Sequence, residues 1–274
     1  GRITVTGALM KVYEGPGMIA DKADAMLVPI RIDGAQYTPF SHLRGKVRIR
    51  WFPKITMTVL PPQRFEIPDE IVGRERRHLA GTKLYDVMSQ MIFETETHSQ
   101  TLFQALLDAQ AIHGRKHPIA EDVERQPISY GRLVTGALVL GRKLAAKTTP
   151  GAPVGFLLPN SVGGVVTFFA LQAFGRVPAM LNFSTGTKNM LAALTAAKVE
   201  TVVTSRRFVT LGKLEDAVAA LTDQAEIIYL EDLRQEISIL DKIAGLFSRH
   251  FADAVHDGHA SSPDEAAEIG RAHV

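Results

Sequence analysis

The sequence predicts an α/β fold arranged in two modules, and three observations lead there. Of the 274 residues 46% are hydrophobic and the formal charge is only +2, so the chain can bury one large or two ordinary cores and is not a disordered segment. An aromatic share of 7% beside 22 Gly and 14 Pro suits alternating strands and helices better than an aromatic-rich β-sandwich. In the second half, short apolar runs alternate with segments of helical period, the order expected of a largely parallel sheet with helical crossovers. The lack of cysteine excludes a disulfide framework, a thiolate nucleophile and a Cys-based zinc site.

The first module begins with Gly1-Arg2-Ile3-Thr4, which has no Met start, no basic n-region and no apolar h-region, and reads as a segment cut from a longer frame. Residues 25–33 predict a buried strand centred on Leu27, Val28 and Ile30. A second strand is expected over 46–51, where Val47, Ile49 and Trp51 alternate with Lys46, Arg48 and Arg50. A third is expected over 54–60, where Ile55, Met57 and Val59 alternate with Thr56 and Thr58; both have the pattern of half-buried strands. Pro61-Pro62 ends this region, and Leu84, Val87, Met88, Met91 and Ile92 then share one face of a helix.

Past Thr95 the composition turns polar, so the modules are placed at 1–95 and 96–268, with 269–274 set apart as a foreign tail resembling adapter read-through. Helices are expected over 102–112 and 130–146, then strand 154–158, helix 162–174, strand 177–181, helix 189–197, strand 201–204, helix 211–221 and strand 227–230. The uncharged stretch 153–175 is long enough to raise a membrane span. Pro159, Asn160 and Ser161 interrupt it, so a strand, a turn and a buried helix fit better.

Several residues could carry chemistry. Gly1-Arg2 pairs a permissive backbone with a bidentate guanidinium, which together can approach a phosphate, although on these residues alone a surface turn is the commoner reading. Residues 42–54 hold Arg44, Lys46, Arg48, Arg50 and Lys54 interleaved with Val47, Ile49, Trp51 and Phe52, without an acidic residue. Such a strip suits an anionic bilayer beside an interfacial Trp, or equally a strand edge kept from aggregating by its charges; nucleic acid is the weaker third option. His117 and Asp122 stand at His-x4-Asp spacing but follow the Gly-Arg pair, beside Pro118 in the interdomain region, and are rejected as a catalytic pair. No metal cluster stands out, and no Gly-x-Gly-x-x-Gly follows a predicted strand, which disfavours a Rossmann dehydrogenase.

The run from Gly1-Arg2 through Gly7, Lys11, Gly15 and Gly17 to Val28-Pro29-Ile30 resembles the second half of the glycerophospholipid acyltransferase family. The resemblance implies that Gly1 and Arg2 belong to a motif binding the phosphate of the acyl acceptor. The family's general-base histidine would lie upstream of Gly1, so no catalytic residue is assigned here and the chain itself is expected to be inert.

In the second module Ile128-Ser129-Tyr130, the Leu157-Leu158-Pro159-Asn160-Ser161 turn, Gly175-Arg176-Val177-Pro178-Ala179 and Val202-Val203-Thr204-Ser205 resemble the N-terminal portion of AMP-forming acyl ligases. The implied reaction uses ATP and Mg, and its phosphate-holding loop would follow residues 264–267. Ser184-Thr185-Gly186-Thr187-Lys188 imitates that loop but lacks its second Gly and its Pro, and is expected to cap the next helix instead. Pro159-Asn160-Ser161 is likewise expected to end a strand and open a helix at its serine.

Taken together, the two series resemble the bifunctional acyl-[acyl carrier protein]–phospholipid O-acyltransferase and acyl-ACP synthetase family. The fold implied is the C-terminal half of an acyltransferase α/β domain followed by the N-terminal βα part of a ligase domain. The resemblance implies an acyl carrier protein phosphopantetheine thioester as donor and a lysophospholipid as acceptor. It also implies an anionic membrane surface at the cytoplasmic face of the bacterial inner membrane. The competing expectation is a non-catalytic fragment that binds a membrane surface through Arg44, Lys46, Arg48, Arg50 and Trp51.

Overall fold

The apolar runs of the second half become a four-stranded parallel sheet. The chain divides into two units, Gly1–His98 and Ser99–Val274, in a computed structural model that describes residues 9, 12–43, 47–96, 100–123, 125–259 and 267. Gly1, Arg2, Arg44 and Lys46 lie outside the described residues.

In the first unit, helix α1 (Glu14–Lys22) crosses helix α2 (Gly73–Thr95), and strands β1 (Ile30–Asp33) and β2 (Thr56–Val59) form an antiparallel ribbon. The crossing is close because Gly17 faces the α2 backbone: a Cβ there would stand 2.4 Å from the Ala80 carbonyl oxygen. Arg76 clamps it, donating to both oxygens of Asp21 at 2.7 and 2.8 Å. Arg31 on β1 ties the ribbon to the end of α2 through the Ile92 carbonyl (3.1 Å) and Thr95 Oγ1 (2.8 Å).

Three expectations fail in this unit. Over 47–51, the described part of the strand expected at 46–51, no strand forms: Val47 makes only an isolated bridge, residues 48–50 have no ladder and Trp51 and Phe52 make a bend. Val47 is buried, Ile49 half-buried and Arg48 and Arg50 exposed, so the alternation survives as a pattern of burial although no described strand pairs along it. Over 25–33 only the last four residues are strand, Leu27 makes a lone bridge to Gln63, and Val28 and Ile30 are exposed. In β2, Met57 and Val59 pair with Ile32 and Ile30, and all four side chains are exposed rather than half-buried. Alternation makes the two faces of the ribbon differ; a covering layer has to come from elsewhere in the fold.

The second unit opens with α3 (Leu102–His113) and a short antiparallel pair, β3 (Pro118–Ala120) with β4 (Ile128–Ser129). Next come α4 (Tyr130–Ala145), β5 (Pro153–Phe156), α5 (Val162–Ala173), β6 (Val177–Met180), α6 (Thr187–Ala196) and β7 (Thr201–Thr204). It closes with α7 (Arg206–Gly212), α8 (Glu215–Leu221), β8 (Glu226–Tyr229), α9 (Leu230–Glu236), α10 (Ile239–Ser248) and α11 (Ala252–Asp257). The parallel sheet runs in the order β6-β5-β7-β8. Val154, Phe156, Val203 and Ile228 pack into one core with α3, α4 and α5, while Leu157, Val202 and Ala179 pack into another with α6 and α8. Both faces are therefore covered, which is why these strands are continuous apolar runs. The stretch 153–175 is β5, a turn and α5, and no described helix is long and apolar enough to cross a membrane.

The helix expected over 211–221 is instead two short ones. Lys213 turns left-handed at φ +52°, and the N–H of Leu214 closes back on the Val209 carbonyl at 2.9 Å, which buries the Leu214 side chain in the second core.

Candidate functional site at the carboxyl edge of the parallel sheet

The strand order puts a reversal between β5 and β7. From β5 the chain moves outward to β6, whereas from β7 it moves the opposite way to β8, so the loops leaving β5 and β7 diverge. In open α/β sheets a crevice of this kind, outside the carboxyl ends of the strands, is where ligands bind.

The loop after β5 is tightly held. The Leu157 N–H donates to Val203 (3.0 Å) and its carbonyl accepts from the buried Thr204 hydroxyl (2.8 Å). Pro159 and Asn160 turn the chain, and Ser161 caps α5 by accepting the Gly164 N–H at 3.1 Å, as the sequence predicts. Gly164 is required here, since a Cβ would meet the Pro159 carbonyl at 2.7 Å. The Val162 N–H donates to Asp122 Oδ2 at 3.0 Å. Asp122, one half of the rejected His-x4-Asp pair, thus supplies a carboxylate to a helix N-terminus. His117 stacks on His113 with ring centroids 5.2 Å apart.

Ser205 closes β7 in a similar way, accepting the Phe208 N–H and donating to Glu231 Oε1 at 2.8 Å. Burial pushes Glu231 up, but hydrogen bonds from the Ser205 hydroxyl and nearby backbone N–H groups outweigh it and hold the carboxyl below its ordinary range. Beside it Arg206 forks onto Asp232 at 2.6 and 2.7 Å and lies 4.2 Å over the Tyr229 ring. Sequence reasoning missed this cluster because Arg206 and Asp232 come from different βα units and follow no motif spacing.

The arrangement has a chemical consequence. Asp122 and Ser161 take N–H groups at the start of α5, while Ser205 and Glu231 do so at the start of α7, so these positions are not an open phosphate cradle. Nor does the segment 184–188 provide one. Ser184 donates its N–H and its hydroxyl to Asn182 Oδ1, and α6 starts from Gly186 at φ +85° with no side-chain cap, which corrects the expectation that a hydroxyl there caps the helix. Among the described residues no group of three His, Asp or Glu could hold a metal ion.

Gly175-Arg176 sits at the opposite edge of the sheet, before β6. Arg176 is buried and donates to the carbonyls of Ala145 (2.9 Å), Thr148 (2.5 Å) and Phe174 (2.5 Å) and to Thr148 Oγ1 (3.1 Å). It is a cation stitching together the carboxyl ends of α4 and α5. In the first unit, Arg48, Trp51 and Phe52 are exposed, as is Phe40, while Arg50 lies 5.8 Å over the Tyr37 ring. A cavity of about 240 Å³ in that unit is lined by Asp21, Asp24, Arg64 and Arg76, whose charges pair with one another.

Comparison with known proteins places the second unit. The model of a family described as AMP-binding enzyme matches residues 107–267. Among solved structures the chain is similar to Bacillus subtilis O-succinylbenzoate coenzyme A synthetase (MenE) in complex with ATP and magnesium ion, at 19% identity and a TM-score of 0.41, over 49% of this chain and 34% of that one. It is also similar to the N-terminal domain of Mycobacterium tuberculosis FACL13, at 18% identity and a TM-score of 0.44, over 50% and 35%. A third is the Klebsiella oxytoca NpsA N-terminal subdomain, at 13% identity and a TM-score of 0.41, over 52% and 34%. The chain spans about a third of the length of these proteins. The family match covers more than half of the chain, from α3 through the parallel sheet to residue 267, and the chain belongs to the AMP-binding enzyme family.

Proposed function

We propose that the polypeptide carrying this segment activates a fatty acid with ATP and passes it to the phosphopantetheine thiol of an acyl carrier protein. A carboxylate oxygen attacks the α-phosphorus and pyrophosphate leaves; the thiol sulfur then attacks the acyl carbon and AMP leaves. The family match over 107–267 carries the adenylation half of this reading. The described residues contribute the scaffold, since the helix starts at the crevice are filled by Asp122, Ser161, Ser205 and Glu231. No step with Mg is assigned to them.

The first unit is proposed as the acyltransferase half, in which a lysophospholipid hydroxyl attacks the acyl thioester and the carrier thiol leaves. Gly1 and Arg2 would hold the acceptor's phosphate at an anionic surface of the bacterial inner membrane, on its cytoplasmic face. The resemblance of the glycine-rich segment supports it, and so does the exposed loop of Arg48, Trp51 and Phe52, which lies on no described strand whose edge it could protect. The same loop favours the second reading, a segment that binds membrane without turnover.

The deciding assay is fatty acid-dependent exchange of pyrophosphate into ATP by the polypeptide that contains this segment together with the rest of an AMP-binding domain. Exchange that requires a long-chain carboxylate supports the proposal. Lack of exchange with every carboxylic acid offered refutes it, and transfer to lysophospholipid without ATP, from pre-formed acyl carrier protein thioester, tests the first unit separately.

A further inference from the structure

Helix α10 is docked by its polar side. The Ser238 hydroxyl accepts the Asp241 N–H and the Asp241 carboxylate accepts the Ser238 N–H, closing a capping box at its start. Lys143 of α4 then holds Asp241 at 2.9 Å, and Arg142 donates to the Ser248 hydroxyl at 3.1 Å. Between these anchors Gly245 lies against α4 so closely that a Cβ would stand 2.2 Å from Val139 Cγ2. Asp241, Gly245 and Ser248 therefore face the domain. Ile239, Leu240, Ile243, Leu246 and Phe247, with Phe251 just beyond, face outward and are between 45% and 76% exposed.

An amphipathic helix normally buries its apolar stripe, and this one is fastened in the opposite sense by specific hydrogen bonds. Its rim leans to positive charge. Lys242 and Arg249 belong to it, Arg142 is adjacent, and the sole carboxylate from 239 to 252 is Asp241, which Lys143 neutralises. Asp253 accepts from Gln104 on α3. Large aliphatic and aromatic side chains outward, cations at the rim and an exposed patch on the order of several hundred Å² match a helix lying in a bilayer interface.

We infer that the outward face of α10 docks the ligase unit on an anionic lipid surface. The inference is separate from the acyl chemistry and from the loop of Arg48 and Trp51, which belongs to the other unit.

The test is co-sedimentation of the 274-residue chain with vesicles of phosphatidylglycerol and phosphatidylcholine, against phosphatidylcholine alone. Ile243→Ser with Phe247→Ser is expected to lower partitioning onto the anionic vesicles at least about tenfold, since two large apolar groups then stay in water. The urea midpoint should move little, because Phe247 is mostly exposed and Ile243 nearly half exposed. Leu240→Ser, a single substitution at the start of the same face, should give a smaller loss in the same direction, and Lys242→Glu should weaken binding only where the vesicles are anionic. Trp51→Ala should leave the α10-dependent part intact. Equal binding of the double variant, equal binding to neutral vesicles, or loss of all binding with Trp51→Ala alone would overturn the inference. So would a concentration-dependent dimer that the double variant abolishes, because the face would then belong to a second copy.

Discussion

Replacing Arg176 by Met keeps the apolar stem and removes a guanidinium that serves three backbone carbonyls and one hydroxyl. Those carbonyls end α4 and α5, where no further turn supplies donors. Hydrogen bonds to a charged group are each worth about 1.5–3 kcal/mol net, and relief from burying the cation returns part of their sum. The balance is a loss of about 3–5 kcal/mol, placing Arg176 among the most sensitive single positions of the unit. With an m-value of about 2 kcal/mol/M in urea, the midpoint should fall by roughly 1.5–2.5 M. Hydrogen exchange read by mass spectrometry should show lost protection at the carboxyl ends of α4 and α5 before elsewhere. Arg176→Lys should recover only part of the loss, because one ammonium cannot match the fork. Burial lowers the guanidinium's pKa from its ordinary value but leaves the group charged across the assay range, so the effect should not vary between pH 6 and 8. A Met variant within about 0.5 kcal/mol of the parent, or a Lys variant equal to it, would refute the role assigned to the fork.

Gly17→Ala should destabilise the first unit by about 1–3 kcal/mol, seen as a lower urea midpoint for α1 and α2, because the new methyl meets the Ala80 carbonyl with nothing flexible to yield. Ser161→Ala should cost about 1 kcal/mol, read by denaturation, through loss of the cap on α5. Asp241 is held at about 2 by the Lys143 ammonium and by hydrogen bonds from Ser238. Its folded value is below its unfolded one, so its contribution is complete above about pH 4 and lost as the pH falls through about 2. Exchange protection of α10 should drop across that window, and Lys143→Ala should shift the drop upward.

The parallel sheet was legible because both faces of β5 and β7 are covered. Val154 and Phe156 go to one core, Leu157 to the other, and the unbroken apolar run predicts a strand within a residue or two of where it lies. The Ser161 cap was legible for a related reason: serine, turn and apolar helix are contiguous, and the bond spans only three residues. The Glu231, Arg206 and Asp232 cluster was not legible, since its members meet only after β7 and β8 pair. In the first unit the alternation of Ile55, Met57 and Val59 foretold a two-faced strand but not which neighbours would cover it.

Local chemistry therefore determined strands, turns and caps wherever the interacting groups lie within a few residues of each other, and the apolar runs also announced burial on both sides. Tertiary structure decided the strand order, the reversal between β5 and β7, the self-capped helix starts at the crevice and the outward turn of α10. Each of those depends on groups distant in sequence, as in the pairing of Asp122 with Val162 or Lys143 with Asp241, and periodicity along a chain carries no information about what stands opposite it.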